Sequence, residues 1–132
     1  MLTSTLDRAS IEKFVRAFYV KATKDGDIGP YFIEALGNDL NDEGWQEHYK
    51  LLEDFWWMMM TGEKSYFRNA FEPHLYISRL TYDSFDRWLE LFKEELELHF
   101  SQKIVDKFYK KAAILAKNFI KMLEQRDEID DF

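Results

Sequence analysis

The chain has 132 residues, a formal net charge of −7 and no cysteine. The negative charge argues against nucleic acid or an anionic membrane as partner, because binding either requires clustered lysine and arginine. The absence of cysteine excludes disulfides, thiolate metal sites and a cysteine nucleophile. The length predicts a single domain over residues 1–132. Because neither a signal peptide nor an apolar run long enough to span a bilayer is visible, we expect a cytoplasmic protein.

The spacing of apolar residues predicts an all-α fold, since they recur every three or four positions and only five glycines and two prolines interrupt them. The first helix is predicted from about residue 10 to residue 23, with Ser10 as its N-cap. Its apolar face consists of Ile11, Phe14, Val15, Phe18, Tyr19 and Ala22. A break around Gly29 and Pro30 precedes a short helical turn over residues 30–36.

A second long helix is predicted over residues 42–61, because Gly62 suits the left-handed conformation that ends many helices. Its predicted inward stripe consists of Trp45, His48, Leu52, Phe55, Trp56 and Met59. Residues 63–70 are expected to form a loop, and Pro73 is expected to open a short helix, where its missing N–H costs nothing.

Two further helices complete the predicted fold. One follows Thr81 as N-cap, and its inward residues are Phe85, Trp88, Leu89, Phe92 and Leu96. The other begins after Ser101, and its inward residues are Ile104, Val105, Phe108, Ala112, Leu115, Phe119 and Met122. Residues 126–132 are rich in acidic side chains and are expected to form a frayed tail.

Two of the three histidines indicate a cofactor site. His48 lies on the stripe of the second long helix, and His74 lies in the apolar segment 71–77. One imidazole in each of two walls of an aromatic core is what a haem iron needs, with a ligand below it and a polar group above it. Tyr19 and Trp88 add polar-tipped rings at inward positions. The simpler alternative is a core of bulky residues in which each polar tip finds a local hydrogen bond.

Other site chemistries find less support in the sequence. A di-iron carboxylate bundle needs a glutamate three residues before its histidines, and those positions are aromatic or aliphatic here. No glycine-rich phosphate loop, serine-centred elbow or His-x-x-x-His zinc motif is present. His99, close to a predicted helix end, is expected to be an exposed cation, and Glu94, Glu95 and Glu97 are expected to form a solvated face.

Several fragments, taken together and in this order, resemble the truncated haemoglobins, specifically group III. They are residues 17–19, 29–32, 45–48 with 55–56, 73–75 and 87–92. The resemblance runs from about Ile11 to Met122, and the paired-glycine motifs of groups I and II are absent. It implies an all-α truncated globin fold, in which a two-over-two helical sandwich surrounds haem b.

The resemblance also implies roles for individual residues. His74 matches the proximal iron ligand, and the distal polar group is matched by Tyr19, His48 and Trp88. The residues expected to contact the haem are Phe32, His48, Leu52, Trp56, His74 and Trp88. Phe32 matches the phenylalanine that packs against the haem edge.

Two departures from the family pattern leave details open. Residues 77–80 replace a Leu-Pro-like element after the proximal histidine, and Leu51 stands where many members carry a basic residue near a propionate. Lys64, Arg68 and Arg79 are candidates to counter the propionates instead.

From these residues and this resemblance we expect a haem protein whose pentacoordinate iron binds oxygen, or else nitric oxide or carbon monoxide, and which depends on an unknown reductase. Tyr19 and Trp88 are expected to donate hydrogen bonds to the ligand, with His48 as a third contact or a gate. Two alternatives stay open. One is a haem enzyme with peroxidase-like or nitric-oxide-oxidising activity, and the other is a cofactor-free helical interaction module.

Overall fold

The computed structural model describes residues 3–66 and 82–130, without the side chains of residue 82 and residues 126–130. These ranges contain five α-helices, which confirms the all-α prediction. They are α1 (Arg8–Ala22), α2 (Gly29–Leu36), α3 (Glu43–Thr61), α4 (Tyr82–His99) and α5 (Gln102–Asp130). No helix in the described ranges combines the length and apolar composition required to cross a bilayer.

The start of α1 is set by a capping box. The Asp7 carboxylate accepts the backbone N–H of Ser10 at 2.8 Å, and the Ser10 hydroxyl oxygen accepts the backbone N–H of Asp7 at 3.1 Å. The prediction that Ser10 is the N-cap was therefore wrong. Both residue types are good caps, and Ser10 lies three positions inside the helix as the second half of the box.

The ends of α3 follow the predicted signals. The Asp42 side chain accepts the backbone N–H of Glu43 at 2.8 Å, next to the positive end of the helix dipole. Gly62 adopts a φ of +81°, and its N–H donates to the Met58 carbonyl at 2.8 Å. The predicted bounds of residues 42–61 are thus confirmed to within one residue.

The approach of α2 to α1 depends on Gly29. A Cβ on this residue would lie 2.5 Å from the Thr23 carbonyl oxygen, which is closer than real Cβ atoms come to any heavy atom. Glycine therefore lets α2 pack directly against the end of α1. The helical turn predicted over residues 30–36 is confirmed and begins one residue earlier.

The helices pack in two connected pairs. Helix α1 packs against α3 and α4, and α5 packs against α4 and, less extensively, α3. The Thr3 N–H donates to the His99 carbonyl at 2.9 Å, and the Ser101 N–H donates to the Thr3 carbonyl at 2.8 Å. The start of the described chain is thereby held at the turn between α4 and α5. Helix α5 continues to Asp130, into the segment expected to be a frayed tail.

Aromatic rings dominate the core. Phe14 is fully buried, and its ring centroid lies 5.0 Å from that of Phe92 in an edge-to-face arrangement. It also lies 5.4 Å from Phe108 and 5.9 Å from Phe100. Such geometry suits the ring quadrupoles and adds to the hydrophobic gain. Phe14 therefore joins α1 to both α4 and α5.

The inward stripe predicted for α3 is partly wrong. Trp45, Phe55 and Trp56 are buried as predicted, whereas His48, Leu52 and Met59 are only half-buried. The stripe missed three buried residues of α3, which are Tyr49, Glu53 and Met60. Apolar periodicity gives the width of a buried face but does not give its centre when most of the helix is apolar.

The expectations for the end of α4 are partly wrong, since Glu94 and Glu97 are exposed as predicted whereas Glu95 and His99 are not. Glu95 is only 3% exposed, forms a salt bridge with Lys21 of α1, and is hydrogen-bonded through Oε1 to His99 Nε2 at 2.8 Å. The His99 ring lies 5.8 Å from Phe14 in an edge-to-face arrangement. Glu95 is therefore buried against α1 instead of lying on a solvated face, and the His99 side chain is only 15% exposed.

Replacing Phe14 tests the aromatic core. We expect Phe14→Ala to lower the free energy of unfolding by about 3–5 kcal/mol, because it removes a fully buried ring and leaves a cavity. Val20→Ala, at an exposed position of the same helix, should change it by no more than about 0.5 kcal/mol. Urea unfolding followed by circular dichroism measures both. Equal effects of the two substitutions would contradict this account of the core.

Candidate functional site

Tyr19 lies where three helices meet. It is 6% exposed, and its ring centroid lies 5.1 Å from Phe32 of α2. On its α3 side it lies 5.5 Å from His48 and 5.7 Å from Trp45. The contacts with Phe32 and His48 are edge-to-face, at interplanar angles of 89° and 82°. The structure thus brings together three of the residues predicted from the sequence, which are Tyr19, Phe32 and His48.

The environment of Tyr19 keeps its hydroxyl protonated. Burial is the largest effect on the phenol and raises its pKa well above the ordinary value of 10.0. A hydrogen-bonding contribution from Trp88 opposes part of this shift. An indole N–H can only donate, so the phenol oxygen acts as the acceptor in that interaction. The Tyr19 proton therefore remains available for donation at neutral pH.

Trp45 holds in place the helices that carry the residues around Tyr19. It is fully buried, and its indole N–H donates to the Gly37 carbonyl at 2.8 Å. The bond joins the start of α3 to the end of α2, so the helices that carry His48 and Phe32 are held together. The Trp45 ring lies 5.6 Å from His48. The sequence pattern placed Trp45 in the core but did not reveal its bond to Gly37.

Trp88 enters the site from α4. Its ring stacks on Phe92 at 4.6 Å, and it contacts Phe18 edge-to-face at 6.0 Å. Trp56 of α3 lies nearly parallel to it, at 6.4 Å and an angle of 17°. Three aromatic contacts therefore fix the ring whose N–H reaches towards Tyr19. The structure therefore brings Trp88 together with Tyr19, Phe32 and His48.

Four of the predicted contact residues share an intermediate exposure. Phe32, His48, Leu52 and Trp88 are each half-buried, although fully buried rings surround them. Trp56 lies deeper, at 3% exposure, and contacts Phe92 and Phe108. Apolar faces left partly open beside a closed core are typical of a surface that an apolar ligand covers.

Arg87, the residue before Trp88, forms an ion pair that was not predicted from the sequence. Asp25, in the turn after α1, accepts the Arg87 Nε–H at 2.9 Å and an Nη2–H at 2.7 Å on one oxygen. Its other oxygen accepts the backbone N–H groups of Asp27 and Ile28, both at 3.1 Å. The hydrogen bonds from Arg87 lower the pKa of Asp25, and the same contacts raise the pKa of Arg87. The partners are 62 residues apart, a separation at which no sequence pattern links them.

The proximal part of the predicted site is not described. His74 lies outside the described residues, as do Arg68 and Arg79. Lys64 is described and is exposed. Within the described ranges, no three histidine or carboxylate side chains are placed to hold a metal ion.

The chain leaves α3 along a defined path. The Ser65 hydroxyl donates to the Asp54 carbonyl at 2.6 Å, and the Tyr66 ring lies 5.2 Å from Phe55. Both contacts direct residues 62–66 back along the side of α3. At the end of α3 the Lys107 ammonium donates to the Met60 carbonyl at 3.1 Å, where a cation suits the negative end of the helix dipole.

Comparison with known proteins yields a curated relative and a solved structure. The group 3 truncated hemoglobin ctb of Campylobacter jejuni subsp. jejuni serotype O:2 is 33% identical over 123 residues, which cover 93% of this chain and 95% of the relative. This chain belongs to the group III truncated haemoglobins. A crystal structure of a group III truncated haemoglobin from Campylobacter jejuni matches with a TM-score of 0.85, over 93% of this chain and 95% of that one. No family model matches the sequence.

Membership of the group III truncated haemoglobins confirms the resemblance and the globin fold predicted from the sequence. The solved structure shares 33% sequence identity with this chain, so its helices and those described here follow one fold. The roles proposed for individual side chains stay predictions at this point.

We expect Asp25→Asn to lower the melting temperature of this truncated haemoglobin by several degrees at pH 7, because the ion pair with Arg87 is lost. The folded-state pKa of Asp25 is lowered, so its stabilisation is fully present above the unfolded pKa of about 3.9 and is lost as the pH falls through the folded value. The difference between wild type and variant should therefore shrink below about pH 4.

Thermal unfolding between pH 7 and pH 3 measures this effect. Asp86→Asn is the control, since Asp86 is an exposed carboxylate on the same helix as Arg87. A difference that is constant over this range would show that the Asp25 charge does not stabilise the fold.

Proposed function

We propose that this protein binds haem b and, through it, a diatomic gas, with oxygen the first candidate and nitric oxide or carbon monoxide the others. The observation that carries the proposal is the convergence of Tyr19, His48 and Trp88 beside a partly open apolar surface. The name of the relative, a truncated hemoglobin, supports it.

The described side chains fit a porphyrin. A flat apolar ring needs apolar walls, and Phe32, Leu52 and Trp88 offer half-buried faces for it. The face above the metal needs hydrogen-bond donors, which Tyr19 and Trp88 carry. When bound, haem supplies the iron that takes up the gas.

We assign the iron-ligating imidazole to His74 and leave the sixth position for the gas. His74 follows Pro73, which restricts the backbone before it. His48 extends from α3 beside Tyr19 and is proposed as a third polar contact on the gas side. Trp56, one turn after Leu52, is proposed to line the same side from its buried position.

Tyr19 and Trp88 are proposed to donate hydrogen bonds to the gas. The Tyr19 phenol is protonated at neutral pH and can donate, and burial raises its pKa further from that range. The single Trp88 N–H interacts with the Tyr19 oxygen, and it is proposed to be shared between that oxygen and the gas, while the ring is fixed by stacking on Phe92. Donors held in place beforehand stabilise partial negative charge on the gas without reorganising, and this slows its departure.

The absorption spectrum tests haem binding and the role of His74. We expect the purified protein to show a Soret band when haem is supplied, and we expect His74→Ala to lose or strongly shift that band. His99→Ala is the matched control, since His99 lies on α4 and is hydrogen-bonded to Glu95. A protein that stays colourless with haem would favour the cofactor-free alternative. An undisturbed band in His74→Ala would overturn the ligand assignment.

The oxygen dissociation rate tests the donors. We expect Tyr19→Phe and Trp88→Phe each to raise it about tenfold, the equivalent of one neutral hydrogen bond of roughly 1.4 kcal/mol. Tyr109→Phe and Trp57→Phe are conservative controls at half-buried positions on α5 and α3. Stopped-flow displacement of oxygen by carbon monoxide measures the rate. Unchanged rates in both donor variants would contradict the assignment.

A further inference from the structure

One face of α5 carries a row of lysines. Its members are spaced alternately by four and three residues, so they lie within a narrow arc of the helix. We call this row the lysine stripe. It consists of five lysines and one isoleucine, which are Lys103, Lys107, Lys110, Ile114, Lys117 and Lys121. All six are exposed, and the stripe is about 27 Å long from end to end.

The stripe contrasts with the rest of the protein. The chain has a formal net charge of −7, yet the stripe concentrates five positive charges and no negative one. Within the part of the chain that the structure describes, Lys103, Lys110, Lys117 and Lys121 form no ion pair. Lys107 donates a hydrogen bond to the neutral Met60 carbonyl. The exposed carboxylate of Asp106 lies beside the stripe, one turn from Lys103 and Lys110, and accepts a hydrogen bond from Gln102.

An exposed aliphatic side chain lies at the centre of the stripe. Ile114 is 52% exposed, with Lys110 on one side and Lys117 on the other. An apolar centre with a charged rim is the composition of a protein interface, and a single isoleucine suits a small, transient contact better than a permanent one.

The stripe lies across one helix from the candidate site. Phe108 lies about 160° around α5 from Lys110, and its ring lies 5.1 Å from Trp56. Trp56 in turn lies parallel to Trp88. A helix is about 10 Å across, so a partner on the stripe would approach the aromatic site to within about one helix diameter.

We propose that the lysine stripe docks the acidic face of an electron-donating protein. This inference rests on the proposed function, since a haem that binds oxygen must be returned to its ferrous state after oxidation. The transfer is of one electron: a reduced flavin of the donor is oxidised by one electron, the ferric iron is reduced to ferrous, and no bond to the protein forms or breaks. Charge complementarity of this kind raises the encounter rate.

The charges next to the stripe favour a protein over a broader anionic surface. The neighbouring helix α4 exposes a row of acidic residues, which are Asp83, Asp86, Glu90, Glu94 and Glu97. A nucleic acid or an anionic membrane extends beyond one helix and would meet this repulsive row. A small acidic protein face can lie along α5 alone.

The docking experiment uses an acidic flavodoxin as the probe. We expect titration with oxidised flavodoxin at low salt to shift the NMR signals of Ile114 and its lysine neighbours. Lys110→Glu combined with Lys117→Glu should weaken binding at least about tenfold. Lys13→Glu combined with Lys24→Glu is the control, because it changes the net charge equally at exposed lysines outside α5. It should change the affinity less than about twofold, and about 0.5 M salt should abolish binding to the wild type.

The binding readout does not depend on haem, so a failed haem assay and a failed docking assay are distinguishable. With haem present, reduction by flavodoxin should slow in the stripe variant, while reduction by dithionite should not. Circular dichroism establishes that both variants fold, and Lys110→Gln with Lys117→Gln is the milder substitute. The proposal would be overturned if flavodoxin did not bind, if both double variants weakened binding equally, or if the shifted NMR signals lay outside α5. It would also be overturned if sedimentation showed that a second copy of this chain covers the stripe.

Discussion

The edge-to-face contact between Phe14 and Phe92 is the interaction on which the rest of the structure depends. It fixes α1 against α4. The register of the two helices then determines which side chains meet one turn further along α1. Phe18 follows on α1 and contacts both Phe92 and Trp88. Tyr19, the next residue, is thereby directed to the side where α2 and α3 converge. The aromatic core and the candidate site are consequently one continuous packing arrangement.

Charged side chains strengthen the same helix pair at two places. Lys21 of α1 forms a salt bridge with the buried Glu95 of α4, and Asp25 binds Arg87. Ion pairs of this kind add geometric definition even where their net energy is small, since leaving a buried carboxylate such as Glu95 without a partner is costly. The aromatic contact therefore holds the helices together, and the ion pairs limit how far they can slide.

Much of the fold could be predicted from local signals, because caps, glycines and apolar spacing act within one or two turns. The bounds of α3 and the break before α2 are examples. Tyr19, His48 and Trp88 were also predicted, since each is a polar-tipped ring on an apolar face. The burial of Glu95 and the pairing of Asp25 with Arg87 could not be predicted, because each depends on how distant elements meet. The choice between Asp7 and Ser10 as cap failed for a different reason, since both side chains can play that role.

Gly29 has a consequence for the dimensions of the site. Because even one methyl group there would collide with the Thr23 carbonyl, α2 lies as close to α1 as two backbones allow. Phe32 lies one turn further along α2, facing Tyr19. The distance between Phe32 and Tyr19 therefore depends on the absence of one carbon atom at position 29. In this chain, any larger residue at position 29 would displace α2 from α1 and carry Phe32 away from Tyr19, without any change to either ring.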